Sequence, residues 1–232
     1  NNGRVSFVHD NTGTPPSYDV EVRDDEGASS GIDSASVNFA TVNQAPVFST
    51  NSLTISEGGT VTLSSSNLLA TDYDHGAESL IYTIASVSHG QFESTDDPDL
   101  AITSFTQADV DSGKIIFKHD GGETAPSYSA TVSDGSMSDS LSATITFSTV
   151  NDAPVLGNNT IAISEGQTLV LRSSNLSATD VDSTESVLIF SVSGVSVGIF
   201  TTTADPATSI SSFTQAQIAT SEIQFIHNGG EE

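Results

Sequence analysis

Cysteine is absent from this 232-residue chain. No disulfide can staple it, so outside a reducing compartment packing or metal must hold it together. Basic residues are scarce, 5 Lys and Arg against 30 Asp and Glu, and the formal charge of −25 argues against nucleic acid and anionic membranes as partners. That charge favours solubility and bound cations. No apolar run is long enough to span a bilayer, which argues against membrane insertion. A leader sequence is also missing, but a chain that starts inside a repeat is silent about its parent's leader. Tryptophan is absent. Glycan sites usually present an exposed aromatic platform, and the best loop candidate, Tyr73, is replaced by Val181 in the corresponding place downstream.

What is present is repetition. Thr41–Phe48 reads TVNQAPVF and Thr149–Leu156 reads TVNDAPVL, a displacement of 108 residues from Asn43 to Asn151. The same displacement relates Ile55–Gly58 to Ile163–Gly166, Ala70–Asp74 to Ala178–Asp182, and Ser104–Ala108 to Ser212–Ala216. The Phe-x-His-(Asp/Asn) run occurs three times, at Phe7–Asp10, Phe117–Asp120 and Phe225–Asn228. The chain therefore divides into residues 1–42, the late part of one repeat; 43–150, a complete repeat; and 151–232, the early part of a third. A period this long is the size of a whole domain, so the units are beads and not solenoid coils.

Alternation with period 2 dominates, as in Leu141, Ala143, Ile145 and Phe147, or Leu80, Tyr82 and Ile84. Each full unit offers about seven short strands punctuated by Gly, Asn, Asp and Ser. The pattern predicts an all-β fold of tandem antiparallel Greek-key β-sandwiches with immunoglobulin- or cadherin-like proportions, about 108 residues per repeat. Only Phe105–Val110 and Phe213–Ile218 suit a helical turn, begun by a Ser or Thr cap. Segments 1–42 and 151–232 are complementary in phase. This leads to the expectation that neighbouring molecules complete a domain head to tail, beside the simpler expectation of partly packed ends.

Recurring carboxylates are the metal candidates. Calcium takes six to eight oxygen ligands, and both carboxylates of an extended Asp-x-Asp lie to one side of the chain. One joint set is Asp134, Asn151, Asp152, Glu165, Asp180 and Asp182. The other is Asp24, Asn43, Glu57, Asp72 and Asp74, weaker because Gln44 stands where Asp152 stands in the next repeat. The same residues are equally ordinary turn formers. The histidines are read as packing residues: His9, His119 and His227 share one strand position, and the His-Asp pair is not kept at Asn228. His75 and His89 have no histidine counterparts. The acidic run Glu93, Asp96, Asp97 and Asp99 keeps only Asp205 in the next copy and reads as a solvated loop.

The Val-Asn-Asp-Ala-Pro joint, the Ser-Glu-Gly strand and Ala-Thr-Asp-x-Asp resemble cadherin-like repeats of large bacterial surface adhesins. The run from Phe105 through His119-Asp120-Gly-Gly-Glu, followed by Val132-Ser-Asp-Gly135, is similar to the chondroitin-sulfate-proteoglycan (CSPG) type repeat, a cadherin-related sandwich. The resemblance covers the whole chain. It implies a non-catalytic, extracellular or cell-surface role in cell adhesion or as a spacer, with Ca2+ and neighbouring repeats of the same protein as partners. Thr149 and Ala153 depart from the cadherin joint, where an acid and an asparagine stand, so one ion per joint is expected. The rival reading is a recognition module for a glycan or a cell-surface protein.

Overall fold

A computed structural model describes residues 4–10 and 13–230. It forms two compact units, Asn1–Thr149 and Val150–Glu232. Among the described residues no helix is long and apolar enough to cross a membrane.

The first unit begins with two short paired strands, β1 (Asp19–Val20) and β2 (Asp33–Ser34). The complete repeat follows with β3 (Val47–Ser56), β4 (Thr60–Thr62), β5 (Leu68–Thr71), β6 (Ile81–Ser88), β7 (Gly90–Ser94), β8 (Asp97–Ile102) and β9 (Ser104–Thr106). The helical turn α1 (Gln107–Asp111) leads to β10 (Ile115–His119), β11 (Ser127–Ser133), β12 (Ser138–Ser142) and β13 (Thr144–Ser148). Three sheets result, with strand orders β4-β10-β7-β8, β12-β11-β6-β9 and β13-β3-β5. Their inward faces supply one core, including Leu53, Leu68, Tyr82, Phe92, Phe117 and Val132. Alternation produced these faces. In β10, Ile115 and Phe117 are buried while Lys118 between strand positions faces water. Phe92 meets the edges of Phe117 and Tyr128 with centroids 5.0 and 4.8 Å apart, a favoured T-shaped geometry.

Two features depart from the period-2 reading. The run Leu141–Phe147 is not one strand. It splits at Ala143: β12 pairs antiparallel with β11, and β13 then pairs in parallel with β3, from Thr144↔Ser52 to Ser148↔Ser56. The sandwich is thus not wholly antiparallel. Leu141, in phase with the buried residues by sequence, is left exposed. The second departure lies in 1–42. The strands expected around Val5–Phe7 and Tyr18–Val22 reduce to β1, and Val5, Phe7, Val20 and Val22 are exposed. Their counterparts in the complete repeat are held by earlier strands: β10 lies between β4 and β7, and β11 beside β6.

The second unit contains β14 (Val155–Asn159), β15 (Thr168–Val170), β16 (Leu176–Thr179), β17 (Ile189–Ser191), β18 (Gly198–Thr202), β19 (Ser212–Thr214), α2 (Gln215–Ala219) and β20 (Ile223–His227). Pairings β14–β16, β15–β20–β18 and β17–β19 reproduce the earlier strands of the complete repeat. A smaller core forms around Leu171, Leu176, Phe213, Ile218 and Ile223.

Both helical turns fall where the sequence placed them. Thr106 and Thr214 each accept from the backbone N–H three residues on, and Asp109 or Gln217 reaches back to complete a capping box. The buried glutamine that opens each turn fastens it to the neighbouring strand. Gln107 Oε1 accepts from Ala70 N–H at 2.9 Å, and Gln215 Oε1 from Ala178 N–H at 2.7 Å. These replace hydrogen bonds with water that a buried amide would otherwise lack.

Candidate cation site at the upstream pole

In the complete repeat, the residue before β3, the end of β5 and the turn between β11 and β12 meet at one pole. Two facts bring them there: Val47 pairs with Thr71, and Asp139 Oδ2 accepts from Phe48 N–H at 2.9 Å. Asp72 leaves β5 and makes an Asx turn, its Oδ1 accepting from the N–H of Asp74 at 2.7 Å and of His75 at 2.9 Å. The second aspartate of the motif is a latch. Asp74 Oδ2 accepts from Gln44 N–H at 2.7 Å, fixing the chain just before β3. The second unit repeats both roles: Asp180 Oδ1 accepts from Asp182 N–H at 3.0 Å, and Asp182 Oδ2 from Asp152 N–H at 2.6 Å.

Asp134 enters from the β11–β12 turn. Its Oδ1 accepts from the N–H groups of Ser136 and Met137 at 2.6 and 2.7 Å, and its Oδ2 from Asn43 Nδ2 at 2.8 Å. These bonds, led by that from Met137, favour the ionised form and hold the carboxyl down at about 2. His75 Nδ1 lies 3.3 Å from Asp72 Oδ1 and 3.9 Å from Asp134 Oδ2. The side chains of Asp72 and Asp134 are fully shielded from solvent, while His75 is 32% exposed. Asp72 Oδ2 is buried and has no hydrogen-bond partner. An orphaned carboxylate oxygen in such a place is costly unless a cation meets it. The residues therefore fit a bound cation.

This arrangement regroups the expected ligands. Asp134 belongs with Asn43 and Asp72 of its own repeat. The reason is strand parity: β11 runs back toward the pole where its repeat begins, so the turn after it lies there. Glu57 does not join Asp72 either, because the ten residues of β3 separate the two poles. Its N–H donates instead to Ser148 O at 2.9 Å, at the repeat's downstream end. Glu165 is displaced likewise, next to Gly166, whose N–H donates to His227 Nδ1 at 3.2 Å. Asp24 supports its own turn, its Oδ1 accepting from the N–H groups of Glu26 and Ala28. His75 was the residue overlooked. Its only signal was its place three residues after Asp72 in a motif that holds Ser183 in the next copy.

The repeated histidines act as the sequence suggested. His119 is 3% exposed, and its Nδ1 accepts from the N–H groups of Gly58 and Gly121, leaving Nε2 to donate to Thr124 O at 3.0 Å. Phe147 stacks on it at 4.9 Å. His9 and Phe39 show the same 4.9 Å approach, and His227 Nδ1 accepts from Gly166 and Gly229. The acidic run behaves partly otherwise. Glu93 is 1% exposed, its carboxylate accepting from Gln91 Nε2 and Asp99 N–H, and only the loop beyond it is solvated.

Extracellular matrix protein 3 of Lytechinus variegatus is 29% identical over 184 residues, covering 78% of this chain and 6% of its own length. Chondroitin sulfate proteoglycan 4 of Mus musculus is 42% identical over 80 residues, 34% of this chain and 3% of that protein. The extracellular matrix organizing protein FRAS1 of Mus musculus is 29% identical over 195 residues, 77% of this chain and 5% of its own. The chain thus spans a small fraction of these relatives, two of which are named as extracellular matrix proteins, and that likeness places the chain outside the cell. The cadherin-like family profile matches residues 46–148 and again 154–232, two stretches whose starts are offset by the repeat displacement. With most of its residues inside those two matches, and the same latches and capped turns in each, the chain belongs to the cadherin-like family.

Proposed function

We propose that the chain is a non-catalytic segment of an extracellular array, serving as a spacer and adhesion module whose sandwiches are stiffened by calcium. The observation that carries this reading is the buried, unpartnered Asp72 Oδ2 beside Asp134, at the pole where the chain enters the complete repeat. Calcium there would be held by Asp72 and Asp134, with backbone carbonyls and water completing its oxygen shell. Asn43 and Gln44 are already tied to Asp134 and Asp74. An ion neutralising these carboxylates would therefore restrain the segment leading into β3 and offset part of the −25 charge. Matrix and cell-surface proteins are the partners this role implies.

A non-catalytic role is supported by the repeated histidines His9, His119 and His227, whose ring nitrogens bond to backbone groups. The glycan-recognition reading is weaker. Tyr73 is exposed but its hydroxyl accepts from Gly13 N–H at 2.9 Å, and Val181 replaces it in the second unit.

The test is thermal unfolding in calcium and in chelator, with small-angle scattering on the same samples. Calcium is expected to raise the melting temperature and narrow the distribution of maximum dimensions. If neither changes, calcium stiffening is wrong.

A further inference from the structure

We propose that the upstream pole of the complete repeat is a zinc-class metal site, with Asp72, His75 and Asp134 as its three protein ligands. The proposal rests on reading this pole as a cation site and narrows which ion it prefers. Donor atoms of the three side chains all lie within 4.8 Å of one another. An acidic cluster alone would be ordinary on so acidic a chain. The second observation is Asp72 itself, whose side chain is fully shielded and whose Oδ2 meets no donor.

The donor set discriminates between metals. An imidazole nitrogen with two carboxylates suits zinc and its neighbours, whereas calcium draws on oxygen alone and wants six to eight of them. A tetrahedral centre wants four ligands, commonly three from protein and one water. Zinc bonds of about 2.0–2.1 Å to nitrogen and oxygen place neighbouring tetrahedral ligands about 3.3 Å apart. His75 Nδ1 and Asp72 Oδ1 already stand 3.3 Å apart, and Asp134 Oδ2 is 3.9 Å from the same nitrogen. His75, at 32% exposed, marks the side open to water.

The supporting shell is also in place. Backbone N–H groups of Asp74 and His75 orient Asp72, and those of Ser136 and Met137, with the Asn43 amide, orient Asp134. Such outer partners fix ligand direction and tune affinity. In the second unit Asp180 keeps the first position but Ser183 takes that of His75, so the preference belongs to this one bead.

The experiment titrates the full chain with zinc chloride, and separately with calcium chloride, by calorimetry and thermal unfolding. The variants are His75→Ser, which copies the next repeat, and Asp72→Asn. Metal-free melting confirms that each variant folds. One zinc per chain is expected, weakened at least about tenfold in both variants, since even outer-shell losses cost that much. Any calcium response is expected to survive His75→Ser. No zinc binding, or zinc binding untouched by His75→Ser (as the surface pair His89–Asp120 would give), overturns the proposal. A zinc site without any calcium response leaves this inference standing and removes calcium stiffening.

Discussion

The complete repeat and the second unit share their early strands, capped turns and loop latches, yet their cores close differently. Leu53 is 1% exposed, while its counterpart Ile161 is 38% exposed; Phe117 is 0% exposed and Phe225 9%. The difference tracks β11–β13. In the complete repeat β11 covers β6 and brings in Tyr128, Ala130 and Val132, while β13 lies along β3 and shields Leu53 and Ile55. The early strands and α2 still gather Leu171, Leu176, Phe213, Ile218 and Ile223. Early strands therefore lay out the core, and late strands exclude water from it.

The largest test of that comparison is a pair of aromatic truncations. Phe117→Ala should cost about 3–5 kcal/mol, as for a fully buried ring, and Phe225→Ala distinctly less, because its site is already less enclosed. Denaturant unfolding followed through each unit's transition measures both. Equal losses would break the claim that late strands set the enclosure.

A smaller effect should be shared by both units. Glycine lets β7 and β18 pass close over a ring. A Cβ at Gly90 would sit 2.6 Å from Phe117 Cζ and from Lys118 O, and one at Gly198 would sit 2.4 Å from Phe225 Cζ and 2.6 Å from Ile226 O. Gly90→Ala and Gly198→Ala should each destabilise by about 1–3 kcal/mol through overpacking. Similar values would sharpen the comparison by showing that this approach depends on early strands alone.

The smallest expected effect is electrostatic and confined to the first unit. The carboxyl of Asp134 is depressed to about 2, against about 3.9 in an unfolded chain. A depressed carboxyl contributes stability that is fully present above the unfolded value and is lost as pH falls through the folded one. Acid unfolding of the first unit should steepen between pH about 4 and 2, and Asp134→Asn should flatten that slope. A slope unchanged by the substitution would mean that Asp134 is not held as its hydrogen bonds imply.

Much of the fold was legible because it is local. Alternation in β10 and β11 predicted which side chains turn inward, and Thr106 and Thr214 announced the helical turns. What local pattern could not carry was strand parity. Nothing in Leu141–Phe147 marks Ala143 as the point where the chain changes partner from β11 to β3. The same blindness grouped Glu57 with Asp72 and set Asp134 apart from both, since which loops share a pole depends on counting strands correctly. The residue types of the candidate site were readable, but their company was not. His75 shows why: it joins Asp134 across a sequence separation that no repeat motif records.

The parallel pairing of β13 with β3 also bears on load. The chain enters the repeat at one end of β3 and leaves at the opposite end of β13, so tension between Val47 and Ser148 runs along both strands. Five register pairs, from Thr144↔Ser52 to Ser148↔Ser56, lie across that line of pull and resist it in shear. They must yield together and cannot peel apart one by one. A bead tied this way resists a pull along β3 more than a pull across it.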